Sequence, residues 1–202
     1  TRFRGAWNAA KGDGAKIALV DSGVYSKHPD IGRIIAQRDF VEGDAVADDV
    51  YGHGTHVTGI AGALTNNGKG VAGGCFECGL LIAKVMGPIG FTTDSRIVEG
   101  INWSVNHGAD VVNLSLGGSG DSSVLRMAVD RAYGQGAVVV AAAGNEGTNV
   151  PQYPAAYSKV IAVSATTADG RLARFSSRGD WVDLAAPGTG ILSTSKSGGY
   201  QR

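Results

Sequence analysis

The sequence predicts an α/β fold, a three-layer sandwich around a mainly parallel central sheet. Three observations carry that expectation. Short apolar runs rich in β-branched residues are nearly continuous rather than alternating, as strands covered on both faces require. Segments with helical spacing separate the runs, and alternation of strand and helix is the pattern of an open parallel sheet. Glycine is the compositional outlier, with 32 among 202 residues, about twice ordinary usage. The glycines sit between apolar runs and inside motifs, where tight turns and close backbone approach call for them.

The first expected strand is KIALV at 16–20, ending at Asp21. GHGTHVTGIAGAL at 52–64 reads as a helix of small residues whose glycines permit very close packing on a sheet. Such glycines cost helix stability, so a close contact must offset them. LLIAKV at 80–85 is the next strand, followed by a helical stripe of Ile97, Val98, Ile101 and Val105. DVVNL at 110–114 precedes a second stripe of Val124, Leu125, Ala128, Val129 and Ala132, for which Asp121 is the expected N-cap. AVVVA at 137–141 and VIAV at 160–163 complete the set. Ligands and chemistry in such sheets collect beyond the carboxyl ends of the strands.

At 202 residues one domain is expected, large enough to bury a core without disulfides or metals. A formal net charge of zero gives no pull toward nucleic acid or an anionic membrane surface. No apolar stretch is long enough to span a bilayer, and no repeat or low-complexity tract occurs. The front carries no basic-then-apolar leader, and its start at Thr1 is compatible with one removed earlier. Cys75 and Cys78 leave three readings: a local disulfide, which is preferred, a redox pair, or two inert thiols. A four-ligand zinc site is not available to two cysteines without a second pair.

Three features gather at strand ends. Asp21 follows four apolar residues, where a carboxylate is costly unless a donor or cation meets it. Alone it reads as a turn-capping aspartate. His53 and His56, three apart, lack the glutamate and spacing of a zinc-protease helix, so a metal pair is disfavoured and a solvated pair is the plain alternative. Asn145, after the alanine run AAA at 141–143, offers a side-chain amide where acyl transfer needs an oxyanion donor. Together they supply an acid to orient an imidazole, an imidazole to take a proton, and an amide for a developing oxyanion.

At this point the chain resembles the subtilisin-like serine proteases, over roughly residues 6–200 and with the family's motifs in the order Asp, His, Asn. The resemblance implies that Asp21 in VDSGV is the catalytic aspartate, His53 in HGTHVTG the catalytic histidine, and Asn145 in AAAGNEG the oxyanion donor. It further implies that Ser115, Leu116, Gly117 and Gly118, with the stretch at Gly90, pair with substrate backbone. Phe91 would line a neighbouring subsite. Ala142, Gly144, Glu146 and Gln152 would line the main side-chain pocket, where Glu146 favours a basic residue unless it is a simple surface charge. Structural calcium is implied at Asp30, Asn66 and Asn67, and a weaker cation site at Ala155, Tyr157 and Val160. The loop TNNGKG at 65–70 is one residue longer than the family pattern.

The family's nucleophile lies in a GTS motif beyond an APG stretch. Here APG at 186–188 is present and no GTS follows. Ser123 in GDSS opens a helix, Ser22 reads as turn chemistry, and Ser193, Ser195 and Ser197 lie in a polar stretch expected to be flexible. The expectation is therefore a single catalytic domain over 1–202, incomplete at the C-terminus and at the N-terminus. Its nucleophile would come from beyond Arg202, on a companion fragment, a disordered tail or a portion of the polypeptide missing from this sequence, and its absence should expose apolar surface. The implied activity is hydrolysis of polypeptide substrates by a secreted enzyme, made with a pro-domain and monomeric when complete. A catalytically inactive module that binds extended peptides is the alternative. A nucleotide-binding domain is disfavoured, since neither glycine-rich phosphate motif occurs.

Overall fold

All five expected runs form strands, and the order in which they pair decides where the motifs meet. The computed structural model describes residues 3–202. Its helices are α1 (Phe3–Ala6), α2 (His53–Gly62), α3 (Asp94–Asn106) and α4 (Ser123–Gly134). Its strands are β1 (Lys16–Asp21), β2 (Ile34–Asp39), β3 (Gly79–Lys84), β4 (Val111–Leu114), β5 (Val138–Ala142), β6 (Val160–Thr166), β7 (Leu184–Pro187), β8 (Ser193–Thr194) and β9 (Tyr200–Gln201). Seven of them form one sheet in the order β2-β3-β1-β4-β5-β6-β7. Every pairing in it is parallel. The strands β8 and β9 form a separate antiparallel hairpin.

Helices cover both faces, giving the three layers. On one face α3 and α4 bury Ile97, Ile101, Leu125 and Val129 against Val20, Ala83, Val112 and Val139. On the other, α2 presents Val57 and Ala61 to Leu19, Leu80 and Ile82. The strand β3 is buried at every residue, Lys84 included, as the apolar run at 80–83 predicts for a strand covered on both faces.

Three expectations need correction. The runs at 137–141 and 160–163 were expected to be covered on both faces, yet β5 and β6 alternate. Val139 and Ala141 are sealed while Val138 and Ala142 face outward. On the α2 side of the sheet no element among the described residues reaches β5–β7, so Val138 and Leu184 stand 44% and 58% exposed. The cap of α4 is Ser122, not Asp121. Ser122 immediately precedes the helix in extended backbone and accepts from Leu125 N–H, while Asp121 pairs with Arg126 at 2.6 Å. The edge strands β2 and β7 were not expected at all, because edges carry no continuous apolar signal.

Cys75 and Cys78 form a disulfide, with Cα atoms 5.5 Å apart. Around it the N-terminal segment is tied to the start of β3. Trp7 Nε1 donates to Gly74 O at 3.0 Å, its ring meets Phe76 edge-on, and Glu77 N–H donates to Lys11 O.

Candidate active site

Asp21 closes β1 and His53 opens α2, so strand and helix deliver the two side chains to one point. Asp21 is 1% exposed, and its Oδ1 lies 2.7 Å from His53 Nδ1 while also accepting Ser22 N–H. Its Oδ2 is buried with no partner among the described residues, a cost that functional sites often carry. The hydrogen bond with Asp21 raises the His53 pKa above its ordinary 6.5, burial opposes it, and the charges of Asp21 and Asp49 add to the rise. With Nδ1 held by Asp21, Nε2 is the nitrogen left to face a substrate.

The small residues of α2 make this approach possible. A Cβ at Gly54 would lie 2.2 Å from Gly23 O and 3.1 Å from Asp21 Oδ1. Gly59 does the same on the other side, where a Cβ would come within 2.2 Å of Thr194 Oγ1. There β8 seats on the helix: Thr194 Oγ1 donates to Thr55 O and Ser193 Oγ to His56 O, both at 2.7 Å. Ser193 and Ser195, expected in a flexible stretch, are buried. Ser193 Oγ is taken by the His56 carbonyl and Ser195 Oγ lies 2.8 Å from Ser197 Oγ, so local polarity misread a packed segment. His56 is not paired with His53. Its Nε2 lies 3.1 Å from Ile191 O, so the two rings have different partners.

His53 and Asn145 line the same cleft, of about 400 Å³. Asn145 follows β5 on an exposed loop, and its side-chain amide engages no other described residue. Of the expected substrate-contacting residues, Gly90, Phe91, Ser115, Leu116, Gly117, Ala142, Gly144, Glu146 and Gln152 line this cleft. Gly118 does not. Its backbone is taken by Tyr153, which it meets through hydrogen bonds of 2.9 and 2.7 Å. Gly144, at φ +97°, has room for no side chain, since a Cβ would sit 2.6 Å from Glu146 Oε2. Ser177 Oγ donates to that oxygen at 3.0 Å and holds the carboxylate at the cleft wall.

Tyr51, Met86 and Thr92 also line the cleft and were not singled out from the sequence. Tyr51 carried a readable signal, standing two residues before His53, and its ring centroid lies 6.4 Å from the imidazole.

The implied cation sites do not present a calcium shell. Asp30 is buried, but Oδ1 accepts Asn67 Nδ2 at 2.6 Å and Oδ2 accepts Val71 N–H at 2.9 Å. Asn67 Oδ1, the atom that would ligate, instead accepts Lys69 N–H. Asn66 occupies the turn at φ 62°. At the second site the Tyr157 carbonyl accepts Val160 N–H at 3.0 Å, and Ala155 is buried beside it. Calcium takes six to eight oxygens, and in this arrangement the side-chain oxygens of Asp30 and Asn67 are taken by N–H donors. Among the described residues no group of three or more His, Cys, Asp or Glu gathers around a common point.

The comparisons with known proteins fall on this geometry. The Subtilase family profile matches residues 12–202. Thermitase of Thermoactinomyces vulgaris is 45% identical over 196 residues, covering 96% of this chain and 70% of that protein. The chain belongs to the subtilase family. Another subtilase, subtilisin DY of Bacillus licheniformis, is 42% identical over 94% of this chain and 70% of its own length. A crystal structure of a cold adapted subtilisin-like serine proteinase superposes with a TM-score of 0.87 at 33% identity, covering 95% of this chain and 69% of that one. The subtilase fold and the serine-protease family are thereby established, over about seven-tenths of the length of these relatives.

Proposed function

We propose that this subtilase chain is the larger part of a serine endopeptidase that hydrolyses peptide bonds through a Ser-His-Asp triad, with the serine lying outside residues 1–202. The observation that carries the reading is the 2.7 Å contact of Asp21 with His53 on the cleft that Asn145 also lines. In this reading His53 Nε2 takes the proton from the serine hydroxyl as its oxygen attacks the scissile carbonyl carbon. Asn145 donates to the oxyanion, and the imidazolium returns the proton to the leaving amine. Water then releases the acyl group by the same steps in reverse. Asp21 orients the ring and stabilises its charged form throughout.

The substrate is an extended polypeptide laid along Ser115–Leu116–Gly117 and Gly90. A carboxylate at Glu146 favours a basic side chain in the adjoining pocket, by about 1 kcal/mol for a partly exposed group. The uncovered apolar side of β5–β7 is the seat proposed for the segment that brings the serine, on a tail or a companion fragment. The Cys75–Cys78 disulfide supports secretion, since such bonds persist in oxidising compartments. A pro-domain, and a monomeric state when complete, follow from family membership as proposals. Calcium is a family-level proposal as well, and at Asp30 it requires the Asn67 amide to turn.

The test is hydrolysis of an unfolded protein by the whole polypeptide that contains this chain, together with labelling by a serine-directed sulfonyl fluoride. Turnover with one labelled serine outside residues 1–202 supports the reading. Stoichiometric peptide binding without turnover or labelling would instead identify an inactive peptide-binding module.

A further inference from the structure

We propose that Asp49 is a positioning residue of the hydrolytic site, tying the first turn of α2 and Ser22 together so that His53 meets Asp21. The inference rests on the endopeptidase reading for its kinetic part and on geometry for the rest. Asp49 is 8% exposed and lies in the loop before α2. Its Oδ1 accepts Ser22 Oγ–H at 2.9 Å and Gly52 N–H at 2.7 Å. Its Oδ2 accepts Thr55 N–H at 2.8 Å and Thr55 Oγ–H at 2.6 Å. Ser22 Oγ, having donated to Asp49, accepts Gly54 N–H at 2.8 Å. Residues 52, 54 and 55, which bracket His53, are thus all held by one buried network.

Part of this is helix capping. Gly52 precedes α2 and has no side chain to accept the orphan N–H groups, so Asp49 reaches them from three residues upstream. A cap alone would bind only the helix. The bond to Ser22 is different, because Ser22 follows Asp21 on β1 and donates its own N–H to Asp21 Oδ1. The two halves of the dyad therefore share one anchor. A second consequence is electrostatic: the Asp49 charge adds to that of Asp21 in favouring the imidazolium. Also facing this region are the Tyr51 ring, 6.4 Å from that of His53, Asn145 and Glu146 on the shared cleft, and Lys196, which donates to Val50 O and packs over Gly52.

The experiment compares whole wild-type protein with Asp49→Ala and Asp49→Asn, measuring kcat, KM, the pH profile and thermal unfolding. Active-site titration corrects each rate for folded enzyme. Asp49→Ala should lower kcat by about 10²-fold, as a displaced catalytic group does, with KM changed far less. Asp49→Asn keeps one acceptor oxygen, able to hold either the Ser22 and Gly52 donors or those of Thr55 but not both, and should recover part of that loss. In both variants the His53 titration, followed by NMR of the ring protons, should move to lower pH. Loss of thermal stability with kcat per active site and the His53 titration unchanged would overturn the proposal and leave Asp49 a helix cap. Should the wild type hydrolyse nothing, the endopeptidase reading fails, and the downfield NMR signal of the His53 Nδ1 proton shared with Asp21 still decides: its loss in Asp49→Ala supports the shared anchor and its retention refutes it.

Discussion

Lys84 Nζ lies 2.7 Å from Asp39 Oδ2, and both side chains are almost wholly buried at the ends of the neighbouring strands β3 and β2. Asp39 also accepts N–H bonds from Val41 and Glu42, so this buried pair is well satisfied. Removing one partner strands the other charge. Lys84→Met should cost about 3–5 kcal/mol in urea unfolding. A smaller loss would mean that water already reaches the pair.

The same pair predicts an acid limit. Burial pushes the Asp39 carboxyl up, but the hydrogen bond from Lys84, the two backbone N–H groups and the Lys84 charge outweigh it, so the value lies below the ordinary 3.8. A depressed folded value means stability that is fully present above pH 3.8 and lost as pH falls through the folded value. Thermal unfolding between neutrality and acid pH should register that loss in the wild type. In Lys84→Met, where only the Val41 and Glu42 N–H groups still favour the ionised carboxyl against burial, this contribution should shrink.

His53 carries the opposite sign. Its pKa is raised above 6.5, so the imidazole becomes a neutral base only at higher pH, and kcat/KM should rise through a midpoint above that value. Asp21→Asn should move the midpoint down and lower kcat by about 10⁴, the size established for this substitution in Ser-His-Asp enzymes. An unshifted acid limb would separate His53 from the group being titrated.

Asn145 should matter for rate and not for stability. Its exposed amide has no partner among the described residues, so Asn145→Leu should leave unfolding within about 0.5 kcal/mol. It should lower kcat by about 10²–10³, as established for the oxyanion donor of subtilisins. Equal losses in kcat and in stability would point to a structural role.

Gly59→Ala should destabilise, although alanine is normally the better helix former by about 1 kcal/mol. The added Cβ would sit 2.2 Å from Thr194 Oγ1 and push β8 off the helix. Such overpacking costs about 1–3 kcal/mol, measurable by urea unfolding. A stabilised variant would show that β8 does not seat there.

The central strands and the three motif residues were legible because each rests on local chemistry. Residues 80–83 are apolar throughout because β3 is covered on both faces, and Asp21 and Asn145 stand where apolar runs stop. The edge strands β2 and β7 were not legible, since exposed strands need no apolar pattern. Ser193 and Ser195 misled for a related reason. Ser193 Oγ bonds to a carbonyl of α2 and Ser195 Oγ to Ser197 Oγ, and in sequence such hydroxyls look like hydroxyls bound to water.

The sequence by itself determined a parallel α/β sheet and an acid, an imidazole and an amide at its strand ends, because periodicity and motif spacing are local properties of the chain. Only the tertiary structure decided that Asp49 serves both Ser22, 27 residues away, and the helix bearing His53. Only it showed that Asp30 is satisfied by N–H donors and that Val138 on β5 and Leu184 on β7 stand exposed. Those relationships join residues from separate segments, and hydrogen bonding and burial between them exist only once the chain is folded.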